Sequence, residues 1–71
     1  MIKLKLSVKL YSAAAVEQAV VAYQSFGKIY FKKRGGYFFV FFKDIKNDSG
    51  QKLANEFGNY VLAQVIKSRH D

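Results

Sequence analysis

The stretch KIYFKKRGGYFFVFFK, from Lys28 to Lys43, places two short runs of β-forming residues on either side of Gly35-Gly36. Adjacent glycines between such runs are typical of a two-residue β-hairpin, because the favoured turns need positive φ at one or both central positions. The second run, Tyr37 to Phe42, is the most hydrophobic segment of the chain, and both of its alternating faces are apolar. This pattern favours a central strand, so the remaining elements are predicted to be arranged around the hairpin.

The segment before the hairpin predicts a strand and a helix. Residues 2 to 10 alternate between apolar side chains and mostly lysines, which is typical of a strand with one buried face and one wet, basic face. Ser12 is a suitable N-cap for a helix from Ala13 to Phe26. Gly27 is placed to end that helix as its C′ residue.

The segment after the hairpin predicts a polar loop over residues 44–50 and a closing helix from about Gly50 to Arg69. Asp48 and Gln51 have the spacing of an approximate capping box. Within the helix, Gly58 costs about 1 kcal/mol of helix propensity relative to alanine. Either a close neighbour needs the space at this position, or the glycine is simply tolerated.

The order β-α-β-β-α predicts an α+β fold, a two-layer sandwich with two helices on one face of a three-stranded sheet. A right-handed β-α-β crossover leaves room for a strand between its two strands, and the apolar run from Tyr37 to Phe42 is the natural occupant. The predicted strand order is therefore 1-3-2. This arrangement is half of a ferredoxin-like fold without its fourth strand, in a single domain over residues 1–71.

Composition limits the classes of function. The chain has no cysteine, and its single histidine, His70, is one residue from the end, so disulfides and thiolate metal sites are excluded and no cofactor is expected. The net charge of +7 favours nucleic acid or an acidic protein or peptide as a partner, although a solvated basic surface explains it equally well. No apolar run approaches the length of a membrane span, and MIKLKLSV is no signal peptide, so a cytoplasmic protein without a membrane partner is predicted.

The sequence contains no catalytic set. The acidic residues are dispersed over helices, a loop and the tail, and no serine has a histidine partner within a structured segment. Gly35-Gly36 follows a basic run but lacks the subsequent helix that a phosphate-binding loop needs, which favours a turn. We therefore predict that the chain is not an enzyme.

The sheet face away from the helices is the first candidate surface. We expect Tyr37, Phe39 and Phe41 on this face, and Phe38, Val40 and Phe42 under the helices, because tyrosine tolerates water at one end. Exposed aromatic residues on a small domain normally mark an interface. We predict self-association of the chain as a homodimer through these sheet faces, while binding of a peptide or protein partner also explains the aromatic residues. The predicted binding residues on or near the sheet are Lys3, Lys5, Lys9, Tyr30, Lys32, Tyr37, Phe39 and Phe41.

The free edge of the first strand is the second candidate surface. A dimer mate or an extended peptide can add a strand at such an edge. A second interpretation is that lysine charges along this strand discourage another strand from pairing with its edge. The lysines concerned are Lys3, Lys5 and Lys9.

A short stretch resembles the third-strand motif of RNA-recognition modules. Gly36 to Phe42 has alternate aromatic residues of the kind that stack on bases, and the order β-α-β-β-α matches the first five elements of that fold. The resemblance implies the alternative function, a small basic nucleic-acid-binding domain with an aromatic-basic sheet face.

A second pattern extends from the end of the first strand to the last helix. Besides the basic hairpin, it consists of Tyr11, Ser12, Ala15, Val16, Ala19, Phe26, Glu56, Phe57, Gly58, Asn59, Tyr60, Val61, Leu62 and Gln64. With this pattern most of the chain resembles the HxsD-like family, small accessory proteins of His-Xaa-Ser peptide-maturation systems that are encoded beside radical-SAM proteins. Lys67 stands where the last helix of the family has an arginine. The resemblance implies a non-catalytic accessory protein that contacts a peptide or a maturation enzyme. It makes Asn59 a candidate partner contact or a structural bond to the hairpin, whereas a helix-surface amide is the simpler reading.

Overall fold

The computed structural model describes residues 2–46 and 50–69, and its elements follow the predicted order. The strands pair antiparallel in the order β1-β3-β2, so the α+β fold and the central third strand are confirmed. The capping box predicted at Asp48 and the histidine His70 lie outside the described residues. In chain order, the elements are β1 (Ile2–Ser7), α1 (Ala13–Tyr23), a 3-10 turn (Gln24–Phe26), β2 (Lys28–Arg34), β3 (Tyr37–Lys43) and α2 (Gly50–Arg69).

The core lies between the two helices and one face of the sheet. Phe38, Val40 and Phe42 of β3 are at most 3% exposed, which confirms the predicted register of the hairpin. Helix α2 supplies Phe57, whose fully buried ring meets the ring of Phe42 edge to face at 5.2 Å between centroids. Burial of each such side chain contributes about 1.5–3 kcal/mol. The strand at the centre of the sheet is therefore also at the centre of the core.

The hairpin turn consists of the two glycines. Gly35 and Gly36 have φ values of 60° and 85°, and Arg34 pairs directly with Tyr37. Two consecutive positive φ values correspond to a type I′ turn, whose twist matches that of the flanking strands. The prediction of a two-residue hairpin is confirmed.

The first strand is shorter than its alternating pattern, which runs to Leu10. Ser7 is the last β1 residue paired with β3, and the N–H of Val8 donates to the carbonyl of Gly36 at 3.0 Å. Because the hairpin turns at this point, β3 offers no residue with which the next positions could pair. The chain turns instead, and the N–H groups of Leu10 and Tyr11 donate to the carbonyl of Ser7. The alternating sequence thus continues beyond the last paired residue of β1. Its last apolar residue, Leu10, is 59% exposed and does not belong to the buried face of the strand.

Helix α1 begins as predicted and ends earlier. The hydroxyl of Ser12 accepts the N–H of Ala15 at 3.2 Å, as an N-cap does. The α-helix stops at Tyr23 and continues as the 3-10 turn to Phe26. There the carbonyl of Phe26 accepts the N–H of Lys46 at 3.0 Å, which ties the end of this segment to the chain after β3.

Gly27 is required for space and not as a helix terminator. Its φ of 163° is extended and not left-handed, so the predicted C′ role is wrong. A Cβ at this position would lie 2.8 Å from Cδ1 of Ile45 and 3.1 Å from the carbonyl oxygen of Asp44. The glycine therefore permits the chain after β3 to pass close to the start of β2.

Candidate functional site

The sheet face turned away from the helices, called here the open face, is aromatic along its middle and basic at its borders. Phe39 of β3 lies between Lys5 of β1 and Lys32 of β2, which are its direct partners in the two neighbouring strands. Phe41 lies between Lys3 and Tyr30 in the same way. The structure thus brings together all the predicted binding residues except Lys9 and Asn59, namely Lys3, Lys5, Tyr30, Lys32, Tyr37, Phe39 and Phe41.

Lysine side chains of β1 cover part of the aromatic strip. The ammonium nitrogen of Lys5 lies 4.1 Å from the ring centroid of Tyr37, and that of Lys3 lies 5.8 Å from the centroid of Phe39. Each ammonium is attracted by the ring face while its aliphatic stem shields apolar surface. Tyr37 is 38% exposed, whereas Phe39 and Phe41 are partly buried. The apolar patch is therefore smaller than the sequence predicts.

The open face is positively charged. The predicted set of binding residues leaves out Arg34, which the alternation of β2 places on this face opposite Tyr37. Among the described acidic residues, Glu17 and Glu56 are on the helices, and Asp44 forms an exposed ion pair with Lys28 at 3.6 Å. The lysines of β1 consequently have no carboxylate partner within the described part of the chain.

Tyr30 and Phe41 form the most regular ring pair on the open face. Their ring centroids are 5.1 Å apart and their planes differ by 22°, which is an offset-stacked arrangement. Tyr30 is 42% exposed. The β2 side of the open face therefore carries a stacked ring pair, and the β1 side carries rings that lysines cover.

Lys9 and Asn59 lie apart from the open-face residues. Lys9 belongs to the turn after β1, where its N–H donates to the hydroxyl of Ser7 at 3.2 Å, and so it does not continue the row of Lys3 and Lys5. Asn59 is exposed on α2, and within residues 2–46 and 50–69 no hydrogen bond joins its side-chain amide to the hairpin.

The outer edge of β1, called here the β1 edge, has free backbone groups. Since the N–H of Val8 points to the hairpin, alternation directs the N–H and C=O of Lys3 and Lys5 away from β3. The carbonyl of Ser7 points outward too, because it accepts from the following turn and not from β3. Within residues 2–46 and 50–69, no strand pairs with the outward groups of Lys3 and Lys5.

A groove with both apolar and polar lining residues, called here the edge groove, runs between the β1 edge and α2. Leu4 and Leu6 form its floor, and Leu62, which is 43% exposed, stands on its α2 side. A Cβ at Gly58 would lie 3.6 Å from Cδ2 of Leu4, an ordinary contact, so the fold tolerates the glycine without needing it. The α2 residues that line the groove are Ala54, Asn55, Gly58, Asn59 and Leu62, and Tyr11 closes one end.

The sequence contains a signal for this groove that the predicted binding residues do not use. Ala54, Gly58 and Leu62 repeat every four residues beside the core stripe of α2, so they form a second small-to-apolar stripe. Such a stripe is explained by core packing as readily as by a groove. Leu62 remains exposed because β1 is at the edge of the sheet, so that no further strand of residues 2–46 and 50–69 covers this residue. The position of β1 in the sheet cannot be seen in the stripe itself.

Tyr23 belongs to the contact between the helices and not to either candidate surface. Its ring lies 5.9 Å from that of Phe57 and 5.5 Å from that of Tyr60, both edge to face. Burial raises the pKa of the Tyr23 phenol, with smaller contributions from Glu56 and Tyr60 in the same direction. This shift concerns stability at high pH and supplies no reactive group.

No family model matches the chain, and no curated protein or solved structure shows significant similarity to it. In the described ranges, none of the helices is both long enough and apolar enough to cross a bilayer. Over the same residues, no cluster of acidic, histidine or cysteine side chains is arranged to hold a metal ion.

Proposed function

We propose that this protein is a non-catalytic accessory protein that holds an extended segment of another polypeptide at the β1 edge. The observation that carries the proposal is the outward pair of backbone groups on Lys3 and Lys5, which lies directly beside the edge groove. In strand addition, main-chain hydrogen bonds supply affinity and pockets for alternate side chains supply specificity. The β1 edge offers both.

The resemblance to the HxsD-like family supports the same role. Asn59 and Leu62, two of the residues that carry this resemblance, line the edge groove. We therefore propose a peptide or its maturation enzyme as the bound polypeptide. A chain without cysteine suits the reducing cytoplasm, which is where we place this binding event.

Selection from a random peptide library displayed on phage tests the proposal, with two proline variants as a matched pair. Lys5→Pro removes an outward N–H from the β1 edge, and Lys33→Pro does the same at the outer edge of β2. Proline is tolerated on edge strands where the lost N–H faces solvent. We expect selected peptides to bind the unmodified protein and Lys33→Pro alike, and to lose about tenfold or more in affinity for Lys5→Pro.

Two results of this selection count against the proposal. One is that no peptide is enriched against the unmodified protein. The other is that enriched peptides bind Lys5→Pro as tightly as Lys33→Pro, which would place their contacts away from the β1 edge. Circular dichroism of both variants establishes that each is folded before the affinities are compared.

The aromatic and basic open face favours a second candidate function, binding of single-stranded nucleic acid. The observation behind it is the stacked pair of Tyr30 and Phe41 within a row of lysines. Base stacking on aromatic side chains contributes about 1–3 kcal/mol per base, and lysine contacts make such binding fall steeply with salt. Titration of oligouridine at low salt tests it, with Tyr30→Ala, which removes one ring of the stacked pair, as the variant that should bind more weakly. If no amide signal of the three strands moves, this candidate is excluded.

A further inference from the structure

We infer that the segment held at the β1 edge alternates apolar and acidic side chains. This inference rests on the proposed function and names the class of peptide that the same site takes. Its basis is that the two flanks of β1 differ in chemistry: one flank is the edge groove and the other carries the open-face lysines.

Strand geometry fixes which side chains of the added segment meet which flank. Successive side chains of a strand point to opposite faces, and residues directly opposite in neighbouring strands share a face. Side chains of the added segment that lie opposite Leu4 and Leu6 therefore enter the edge groove. Those opposite Lys3 and Lys5 lie on the open face.

The groove side selects apolar residues of moderate size. Leu4 and Leu6 supply an apolar floor, and Leu62 leaves 43% of its surface exposed on the opposite wall. Gly58 contributes no side chain between them and leaves room for an aliphatic group. Asn55 and Asn59 add polar groups to the α2 wall of the groove.

The lysine side selects carboxylates. The side chains of Lys3 and Lys5 are exposed, and their ammonium groups rest over rings instead of pairing with a described carboxylate. Opposite charges placed directly across two strands stabilise their pairing, and like charges destabilise it. With a net charge of +7, the chain also attracts an acidic segment at a distance.

Charge also decides between a peptide and a second copy of this chain. Pairing of β1 with the β1 of another copy would set Lys3 and Lys5 beside the same lysines of that copy, which like-charge repulsion opposes. A nucleic acid carries the right charge but offers no strand to the outward N–H and C=O groups. An acidic, alternating peptide satisfies the backbone, the groove and the lysines together.

A series of synthetic peptides tests the inference with the intact chain. The series consists of alternating Val-Asp, alternating Val-Thr and alternating Val-Lys peptides of equal length, with a peptide that has separate Asp and Val blocks as a control for charge alone. Affinities are measured by fluorescence anisotropy. We expect Val-Asp to bind about twofold to thirtyfold tighter than Val-Thr, and Val-Lys and the block peptide to bind more weakly than Val-Thr.

Charge reversal provides the matched control. In the double variant Lys3→Glu/Lys5→Glu the order of affinities should invert, with Val-Lys preferred. Lys33→Glu/Lys46→Glu makes the same change in net charge on exposed residues away from the β1 edge, and should keep the preference for Val-Asp. Inversion in both variants would show that net charge alone sets the order and would overturn the inference.

The outcomes separate the inference from the proposed function. Equal affinity for Val-Asp, Val-Thr and Val-Lys overturns the inference and leaves strand addition at the β1 edge in place. Absence of binding by every alternating peptide contradicts both. Tight binding of the block peptide would show that acidic peptides bind the open face through charge alone, and it would overturn the inference. Displacement of Val-Asp by oligouridine without any change at the Lys3 and Lys5 amides would lead to the same conclusion.

Discussion

At the residue scale, two glycines that look alike in the sequence have opposite roles. Gly27 faces Ile45 and the carbonyl of Asp44 at distances too short for an added Cβ, and a shift of backbone would be needed to relieve the contact. Gly58 lies on a regular helix with an ordinary contact to Leu4 at 3.6 Å. The first glycine is needed by the fold, and the second is replaceable.

Alanine substitution of each glycine should therefore change stability in opposite directions. Gly27→Ala is expected to lower the free energy of unfolding by about 1–3 kcal/mol, because the added methyl group overpacks a contact with backbone. Gly58→Ala is expected to raise it by up to about 1 kcal/mol through helix propensity. Urea unfolding of both variants beside the unmodified protein measures the two changes. Unchanged stability of Gly27→Ala would contradict the role given to Gly27, and destabilisation by Gly58→Ala would contradict the role given to Gly58.

The raised pKa of Tyr23 predicts a dependence of stability on pH. The ordinary pKa is 10.0, and burial raises it in the folded state. Below pH 10 the phenol is neutral in both states, so its contribution is fully present. Above pH 10 the unfolded state loses the proton first, and stability falls until the folded-state phenol also ionises.

Tyr23→Phe removes this dependence and isolates it from the other titrating groups. We expect the free energy of unfolding to decrease less between pH ~8 and pH ~10.5 in Tyr23→Phe than in the unmodified protein. Urea unfolding at the two pH values is the measurement. An equal decrease in both proteins would show that the phenol does not contribute to the alkaline loss of stability.

At the element scale, the two faces of β1 contact different surroundings, and only one of its two edges is paired with another described strand. Leu4 and Leu6 pack against α2 and point their backbone groups to β3, whereas Lys3 and Lys5 cover the open face and point theirs outward. The free protein should consequently show alternating amide hydrogen exchange. We expect the Lys3 and Lys5 amides to exchange nearly as fast as unstructured ones and those of Leu4 and Leu6 to be protected. Exchange that is uniformly slow along β1 would mean that something already pairs with the edge.

The order of the elements could be read from the sequence because each one has its own periodic pattern. The twofold alternation of β1, the glycine pair of the hairpin and the Ser12 cap all depend on neighbours within a few residues, and the structure bears them out. The ends of elements depend on partners far along the chain. Thus β1 stops at Ser7 because the hairpin turns at Gly36, and no local signal marks that point.

The sequence predicts both the aromatic-basic face of the sheet and the free edge of β1, but not the groove beside that edge. Alternation alone assigns Lys5, Tyr37 and Phe39 to one face, because that assignment needs only the period of a strand. The edge groove joins Leu4 to Leu62 across two distant elements, and its exposure depends on which strand lies at the border of the sheet. The covering of Phe39 by a lysine likewise depends on the cross-strand register.

At the scale of the whole molecule, charge governs association. The open face carries lysines and Arg34 around its aromatic strip, and Asp44 is paired with Lys28 at one end. Self-association through stacked sheets, which the sequence predicts, would bring two positively charged open faces together, and their like charges would repel each other. Salt screens this repulsion, whereas salt weakens the binding of nucleic acid through competition with released counterions.

Sedimentation equilibrium over a range of salt concentrations distinguishes these forms of association. We expect a monomer at about 50 mM salt, and any dimer should increase as salt is raised to about 200 mM, because screening relieves the like-charge contact. The matched variant is Lys3→Glu/Lys5→Glu, in which dimerisation at low salt should become easier. A stable dimer of the unmodified protein at low salt would show that sheet stacking overcomes the charge.

The most direct test of the central claim is residue-resolved amide hydrogen exchange with and without the alternating Val-Asp peptide. If an extended segment adds to the β1 edge, the N–H groups of Lys3 and Lys5 gain acceptors, and their exchange should slow while exchange on the outer edge of β2 stays unchanged. If the peptide binds and these two amides continue to exchange as in the free protein, the β1 edge is not the binding site.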